Sequence, residues 1–526
     1  MTKAAQMAKI TARGGVHMLW GLVLSTVISS VGTVIIARVL GADNYGLYYI
    51  AFTVPNLLSV LRDFGINTAM IRYSAQYNSE NDVAKIKRVF VAGLIFEVAM
   101  GLLLSLVAFA FSGVLAVGFH RPSMVPLIQV SSLIILTGAL TNAASAAFTG
   151  MEIMHLNSIV LVVQSLVKTG LIVGLVLLGF GTLGAVTGFT LGTMVAGVTG
   201  ALLMWVMYRS LPKPVGGKLE VLATTKIMIK YGLPASAGTI LSAFLGQLYN
   251  YILAVFVINN AVIGNYNLAL LFVVLITFFA TPVTTMMFPA FSKLDYTKDK
   301  ETLKSVFQYS VKYAAIIVVP VTTLVMALSQ PAISTLFQDR YAQAPFFLVL
   351  LSVSYLYAAF GSLSTGNLII GQGYAGYSMK LSVLTAVIGL PLSFLLIFKF
   401  GVTGLIVTNL VSGLPSIFLG LRFIKKQFGV TVDWASSAKI LFSSALAAVL
   451  TFILLSLLPF SSPVKLLIGV VFFVVVIVPT IIFSRTLKKP DIIILREIIG
   501  GLGSLRRIIL PILNLLEKLV NLIQGQ

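Results

Sequence analysis

Cysteine is absent from the 526 residues, and only 10% of them carry a charge. The first absence excludes disulfides, thiolate metal sites and cysteine nucleophiles. The second excludes an ordinary water-facing surface, because a soluble domain is charged at about a quarter of its residues. Acids are the scarcer sign, with 15 Asp and Glu against 36 Lys and Arg, and there are three His. Hydrophobic residues make up 58% of the chain, so lipid must solvate most of the surface. The formal net charge of +21 points to membrane topology and not to a nucleic-acid partner. Its cations sit in short gaps between apolar runs instead of clustering on one wet face. The pattern implies no nucleic acid, cofactor or metal.

What the sequence does have is a succession of apolar runs, each near the ~20 residues that cross a bilayer. They lie near 15–37, 44–61, 88–112, 125–150, 157–178, 182–207, 231–257, 264–290, 313–337, 345–370, 378–398, 402–421, 438–459 and 464–484. The first is too long for a signal-peptide core and lacks a cleavage pattern, so it reads as a span. Alternating the runs from a cytoplasmic N-terminus places 30 Lys and Arg inside and five outside, with Lys168 alone within a span. Removing or adding one run would invert the bias of everything downstream. The expectation is an all-α, multi-pass protein of the cell membrane with about fourteen spans and both termini cytoplasmic. The longest outside connection, 112–126, is too short for an external catalytic domain, and an enzyme is not expected. Residues 485–526 form an amphipathic tail, which either lies in the inner interface or packs on cytoplasmic loops.

The two halves match at an offset of about 220 residues, the mark of an internal repeat. Phe180-Gly181-Thr182-Leu183-Gly184 answers Phe400-Gly401-Val402-Thr403-Gly404, Gly150 answers Ile370-Gly371, and Tyr45-Gly46 answers Ile263-Gly264. Six spans lie between matches, an even number, so the halves are parallel repeats about an axis along the membrane normal. This predicts a six-helix bundle at 1–208, a basic cytoplasmic linker at 209–230 and a second six-helix bundle at 231–424. Two extra helices at 438–484 and the tail at 485–526 complete the chain. Two such bundles around a cavity suit alternating access.

Three segments carry a family resemblance. Ala37-Arg38-Val39-Leu40-Gly41-Ala42-Asp43-Asn44-Tyr45-Gly46-Leu47-Tyr48 resembles the ARxLGxxxYGxY signature of oligosaccharide flippases. These belong to the multidrug/oligosaccharidyl-lipid/polysaccharide exporter superfamily. Asp63-Phe64-Gly65-Ile66-Asn67-Thr68-Ala69 with Arg72-Tyr73 is similar to the family's DxGxxxAxxRY segment. Phe288-Pro289-Ala290-Phe291-Ser292 is similar to its FPAxS motif. The resemblance implies a MATE-like transporter that moves polyprenyl- or dolichyl-(pyro)phosphate-linked oligosaccharides from the inner to the outer leaflet, for surface polysaccharide or glycoprotein synthesis. Partners would be that substrate, membrane lipids and glycan-assembly enzymes. The chain has no GxxxxGK[ST] phosphate loop.

Two sibling branches are the rivals. Pro55-Asn56-Leu57-Leu58 is shared with lipid II flippases, but Ser59 and Val60 stand where that branch has arginines. A cation-coupled multidrug antiporter would carry a carboxylate in the first or seventh span, and 15–37 and 231–257 contain none.

A phosphate-linked substrate needs a wet groove with a few cations. Lys168, in the middle of its span, is the foremost candidate, since an ionisable residue there costs roughly 2.5–3.5 kcal/mol unless it faces a cavity or a partner. It reads either as a phosphate contact or as the ion-pair partner of Glu97, the one carboxylate well inside a span; Glu97 is also a candidate for ion coupling. Gln164 lies one turn from Lys168 on the same face. Arg38 and Arg72 lie in the family motifs, and both read also as snorkelling residues at span ends. Lys380 sits at the inner mouth of its span. Asn56, with Gln129, Asn142, Gln247, Asn250 and Asn267, offers amides either to sugar hydroxyls or to neighbouring helices.

Overall fold

The computed structural model describes residues 3–212 and 220–487, with Asn514 and Glu517, and side chains from Gly21 onward. Residues 213–219 of the expected linker, nearly all of the expected tail, and the side chains of Pro282, Val283, Thr285, Met286, Phe288 and Pro289 lie outside the described residues. No β-strand occurs among the described residues.

The helices run in order: α1 Lys3–Ala51, α2 Thr53–Arg62, α3 Ile66–Ser79, α4 Val83–Ala110, α5 Ser112–Gly118 and α6 Val125–Gly150. Next come α7 Met154–Leu175, α8 Gly181–Ser210, α9 Val221–Phe256, α10 Asn260–Ser292, α11 Lys300–Ala327 and α12 Ser329–Phe337. The last are α13 Ala344–Leu356, α14 Ser362–Gly371, α15 Ala375–Phe428, α16 Trp434–Leu457 and α17 Ser462–Phe483. Among the described residues ten helices are long and apolar enough to cross a membrane, or eleven if the pair Ala344–Phe360 and Ser362–Gly371, bent by 53°, is one span. Their outward faces carry large apolar side chains in the open, such as Phe442, Leu457 and Phe483, as lipid solvation requires.

Three apolar stretches are far longer than one crossing: Gly21–Arg62 with 42 residues, Met154–Ser210 with 57 and Ala375–Phe428 with 54. Each contains a glycine in the left-handed half of backbone space. Gly41 interrupts α1 at φ 72°, Gly181 opens α8 at φ 52°, ψ −135°, and Gly401 interrupts α15 at φ 57°, ψ −129°. Gly181 and Gly401 are equivalent positions of the sequence repeat and share one conformation, which a Cβ would strain. Helix order recurs as well: α4 and α11 both span 28 residues, and each is followed by a short helix ending near a residue with positive φ, His120 and Gln338.

Some segments expected as loops are helical. Residues between the second and third spans form α3, and the 112–126 connection contains α5. Asp82 starts α4 as its cap, its side chain accepting a bond from the Lys85 backbone N–H.

Packing divides the chain into two compact units, Met1–Asn267 with Ser382–Asn409, and Leu268–Leu381 with Leu410–Gln526. In the first, α1 packs on α7 and α8, α6 on α4 and α8, and α9 on α2, α3 and α4. Its core includes Ile66, Met70, Phe90, Phe148 and Met204. In the second, α11 packs on α13 and α16, and α17 on α12 and α16. Gln372 there donates to the carbonyls of Phe291 and Leu294 at 2.6 and 2.8 Å, fixing the end of the FPAxS segment.

The shared Gly181 and Gly401 geometry yields a stability prediction. Gly401→Val should cost about 1–3 kcal/mol of stability through backbone strain, seen as a lower midpoint in thermal unfolding of the purified protein. Gly113→Ala, where a Cβ meets nothing within 4 Å, should leave the midpoint unchanged.

Candidate functional site: a cation-bearing polar cavity

The second half of α1 places a run of aromatic rings beside α8. Tyr48 lies edge-on to Phe52 at 5.2 Å between ring centroids, and Phe52 meets Phe189 at 4.6 Å. Tyr45 donates its hydroxyl to Tyr49 at 3.3 Å. Beside these rings opens a cavity of about 180 Å³, lined by Ser29, Thr33, Tyr49, Asn56, Lys168 and Phe189 among others. The Lys168 ammonium stands 5.3 Å from the Phe189 ring centroid and forms no salt bridge among the described residues. No lining residue is a carboxylate.

A second cavity, about 60 Å³, shares Tyr49 and Asn56 with the first and adds Thr53, Gln247, Asn250 and Asn267. Its amides and hydroxyls come from α1, α2, α9 and the start of α10. The two cavities adjoin at Tyr49 and Asn56, and together they are called the polar tract, with the Lys168 cation at one side. Such a tract can hold an anion near Lys168 and hydroxyl groups along the amides.

Two sets of close contacts within the first unit join α1 to α10 at one end and the α2–α3 junction to α9 at the other. At one, Gly46 and Gly264 bring the backbones of α1 and α10 so near that a Cβ on either would strike main-chain oxygens of Asn260 or Ala42. Arg121, 6% exposed, reinforces this end. It donates to Asn260 Oδ1 at 2.6 Å and to the carbonyls of Phe119, Ala254, Val257 and Ile258 at 2.7–2.9 Å. The last carbonyls of α9, which have no intrahelical partner, thereby gain a cation. At the other end Gly65 meets Gly232 backbone to backbone, and Ser236 Oγ donates to Thr68 Oγ1 at 2.8 Å. Arg72 lies 3.9 Å from the Tyr231 ring centroid.

The sequence-nominated residues separate accordingly. Lys168 and Asn56 meet in one cavity, and Gln247, Asn250 and Asn267 line its neighbour. Gln164 does not line the Lys168 cavity. Arg38 is exposed just before the Gly41 break, Arg72 stacks on Tyr231, and Lys380 is exposed in the second unit.

Glu97 is ion-paired, but with Arg62 and not with Lys168. Arg62 Nε donates to Glu97 Oε2 at 2.7 Å, with 1% and 0% of the two residues exposed. Asn67 Nδ2 donates to Glu97 Oε1 at 2.8 Å, and Arg62 Nη1 to the Ile135 carbonyl at 2.8 Å. Arg62, counted from sequence as a cytoplasmic loop cation, instead closes a network tying α2, α3, α4 and α6. Lys168 faces the cavity instead.

The fold is that of a known class of membrane transporter. The chain is similar in structure to the lipid II flippase MurJ in an inward closed conformation, with TM-score 0.67 and 14% identity over 89% of this chain and 98% of that one. Within that class it belongs to the family described as polysaccharide biosynthesis protein, whose sequence model matches residues 35–345. It is similar to the lipopolysaccharide biosynthesis protein WzxC of Escherichia coli, 23% identical over 71% of this chain and 73% of WzxC. It also matches an uncharacterized membrane protein of Methanocaldococcus jannaschii, MJ1068, 25% identical over 69% of this chain and 74% of that protein. The branch that the motifs resemble is the one in which the chain falls.

The buried pair gives a testable asymmetry. Glu97→Ala should destabilise the protein by about 3–5 kcal/mol, because it strands the Arg62 charge. Replacing both partners, as Arg62→Met with Glu97→Met, should recover most of that loss in thermal unfolding; equal losses for the single and double variants would contradict the pairing.

Proposed function

We propose that the protein flips a polyprenyl- or dolichyl-(pyro)phosphate-linked oligosaccharide from the inner to the outer leaflet of the plasma membrane by alternating access. The observation that supports this most is Lys168: a cation left without a carboxylate, at membrane depth, in a polar tract that continues into amides. Its ammonium would meet the phosphate linker, while Asn56, Gln247, Asn250 and Asn267 would meet sugar hydroxyls. The lipid tail needs no shelter, since the bilayer solvates it. A cationic drug fits this lining poorly, because the charge already there is positive. Lipid II, a pyrophosphate-linked glycan of like chemistry, is the alternative substrate.

In this reading the three long apolar stretches each cross the membrane twice, turning at Gly41, near Gly181 and at Gly401. With the bent α13–α14 pair as one span, the topology is fourteen helices with both ends cytoplasmic. The helices would form two six-helix repeats, spans 1–6 and 7–12, with α16 and α17 outside the repeat. The Arg121 end would then face outward and the Gly65–Gly232 end the cytoplasm. Opening inward would part α9 from α2 and α3; opening outward would release Gly264 from Gly46 and the end of α9 from Arg121.

Two experiments test this. In vesicles containing the purified protein and a fluorescent polyprenyl-pyrophosphate glycan, Lys168→Ala should abolish flipping while expression and thermal stability hold; flipping at the parental rate would remove Lys168 from the site. The same vesicles loaded with lipid II separate the two substrates. Because the chain has no native cysteine, Thr68→Cys with Ser236→Cys gives a clean cross-link. Oxidation of that variant should stop flipping and reductant should restore it; undiminished flipping of the fully cross-linked protein would show that this end never opens.

A further inference from the structure

A second lipid-related feature lies on the outer wall of the first unit, away from the polar tract. The first turns of α4 and the last turns of α8 both pack on α6 and leave an apolar furrow of about 210 Å³ between them. Phe90, Leu94, Ala201, Met204, Trp205 and Tyr208 line it, with none of its lining acidic, and it shares no lining residue with the cavities at Lys168 and Asn56. Phe90 and Met204 form a buried floor, while Trp205 is 52% exposed at its edge.

Two cations stand at the furrow's end. Lys87 Nζ donates to the Leu211 carbonyl at 3.1 Å and lies 4.6 Å from the Tyr208 ring centroid. Arg209 holds its guanidinium 4.4 Å from the Trp205 ring centroid, is exposed, and forms no salt bridge among the described residues. A furrow at membrane depth is filled by hydrocarbon, since nothing else is available there. An indole with a stacked arginine at its mouth suits a phosphate at the headgroup level.

We infer that this furrow is a binding site for an anionic phospholipid of the leaflet at these helix ends. One acyl chain lies between α4 and α8 along Phe90, Leu94 and Met204. The phosphate meets Arg209, with Lys87 adding positive potential from behind. The site selects for negative headgroup charge, because both neighbouring ionic groups are cations and no acid faces it. The bound lipid bridges the ends of α4 and α8, otherwise linked by the Lys87 bond to Leu211. This assignment does not depend on what the polar tract carries.

The chain has three tryptophans, so Trp20→Phe with Trp434→Phe leaves Trp205 as the only indole reporter. That full-length variant is reconstituted in dioleoylphosphatidylcholine vesicles with rising mole fractions of brominated phosphatidylglycerol or brominated phosphatidylcholine. Brominated phosphatidylglycerol should quench Trp205 at lower mole fraction, with a relative binding constant roughly fivefold above that of phosphatidylcholine for one cation near the headgroups. Arg209→Gln should lower the ratio severalfold, leaving only the smaller contribution of Lys87, and leave the phosphatidylcholine curve, the check on folding, unchanged. Equal curves for the two lipids in the parent, or selectivity undiminished in Arg209→Gln, would overturn the site. So would relief of quenching by a few mole percent of polyprenyl phosphate beyond that given by unbrominated phosphatidylglycerol, which would assign the furrow to the carrier lipid.

Discussion

Hydrocarbon cannot satisfy a charge or a free peptide group, and that constraint sorts the ionic residues of this protein. Arg62 and Glu97 satisfy each other in the core of the first unit, with Asn67 and the Ile135 carbonyl completing the set. Arg121 is satisfied by four main-chain carbonyls and the Asn260 side chain. Lys168 has a neighbouring ring but no acid. Half-buried in its cavity, Lys168 faces a lining without a carboxylate, and its surroundings leave room for a ligand.

The same constraint acts on the backbone. A helix that turns at a membrane face must keep its hydrogen bonds or give them to another group. At Gly181 and Gly401 the chain reverses through one unusual conformation, and the helices resume at once on either side. This economy lets 54 or 57 residues run with almost no loop. It also ties the repeat to physics, since equivalent glycines are retained where only glycine adopts the required angles without strain.

Much of this was legible in the sequence, and the gaps have definite causes. Apolar run length and charge placement gave the membrane class and nearly every helix, since both follow from bilayer thickness and solvation. Lys168 stood out because an ion at mid-span has few explanations, and Asn56 because it is an amide inside a span. Arg62 did not stand out: it lies at the end of an apolar run, where a snorkelling cation looks the same as a buried one. Only the fold shows that α3 turns back beneath it and that Glu97 reaches it from α4. Arg121 was concealed in the same way, as a single cation in a short connection whose acceptors lie more than 130 residues further on. Gln164 was over-read, because sharing a helical face with Lys168 does not place both in one cavity.

The two closures differ in chemistry, and the difference bears on direction. The Arg121 end is held by four bonds from one guanidinium to Asn260 and to the carbonyls at the end of α9, a class worth about 1.5–3 kcal/mol each when a charged group takes part. The polar contacts at the opposite end are one hydroxyl pair and the Arg72–Tyr231 stack, each nearer 1 kcal/mol, beside the apolar packing of Met228 with Ile66, Met70 and Phe90. Both ends use paired glycines, which allow the backbones to touch. In the proposed orientation the end with the fewer polar bonds faces the cytoplasm. A resting protein that opens more readily on that side would meet its substrate first and break the Arg121 bonds only afterwards, once binding energy from the phosphate and the sugar hydroxyls is available to offset their loss.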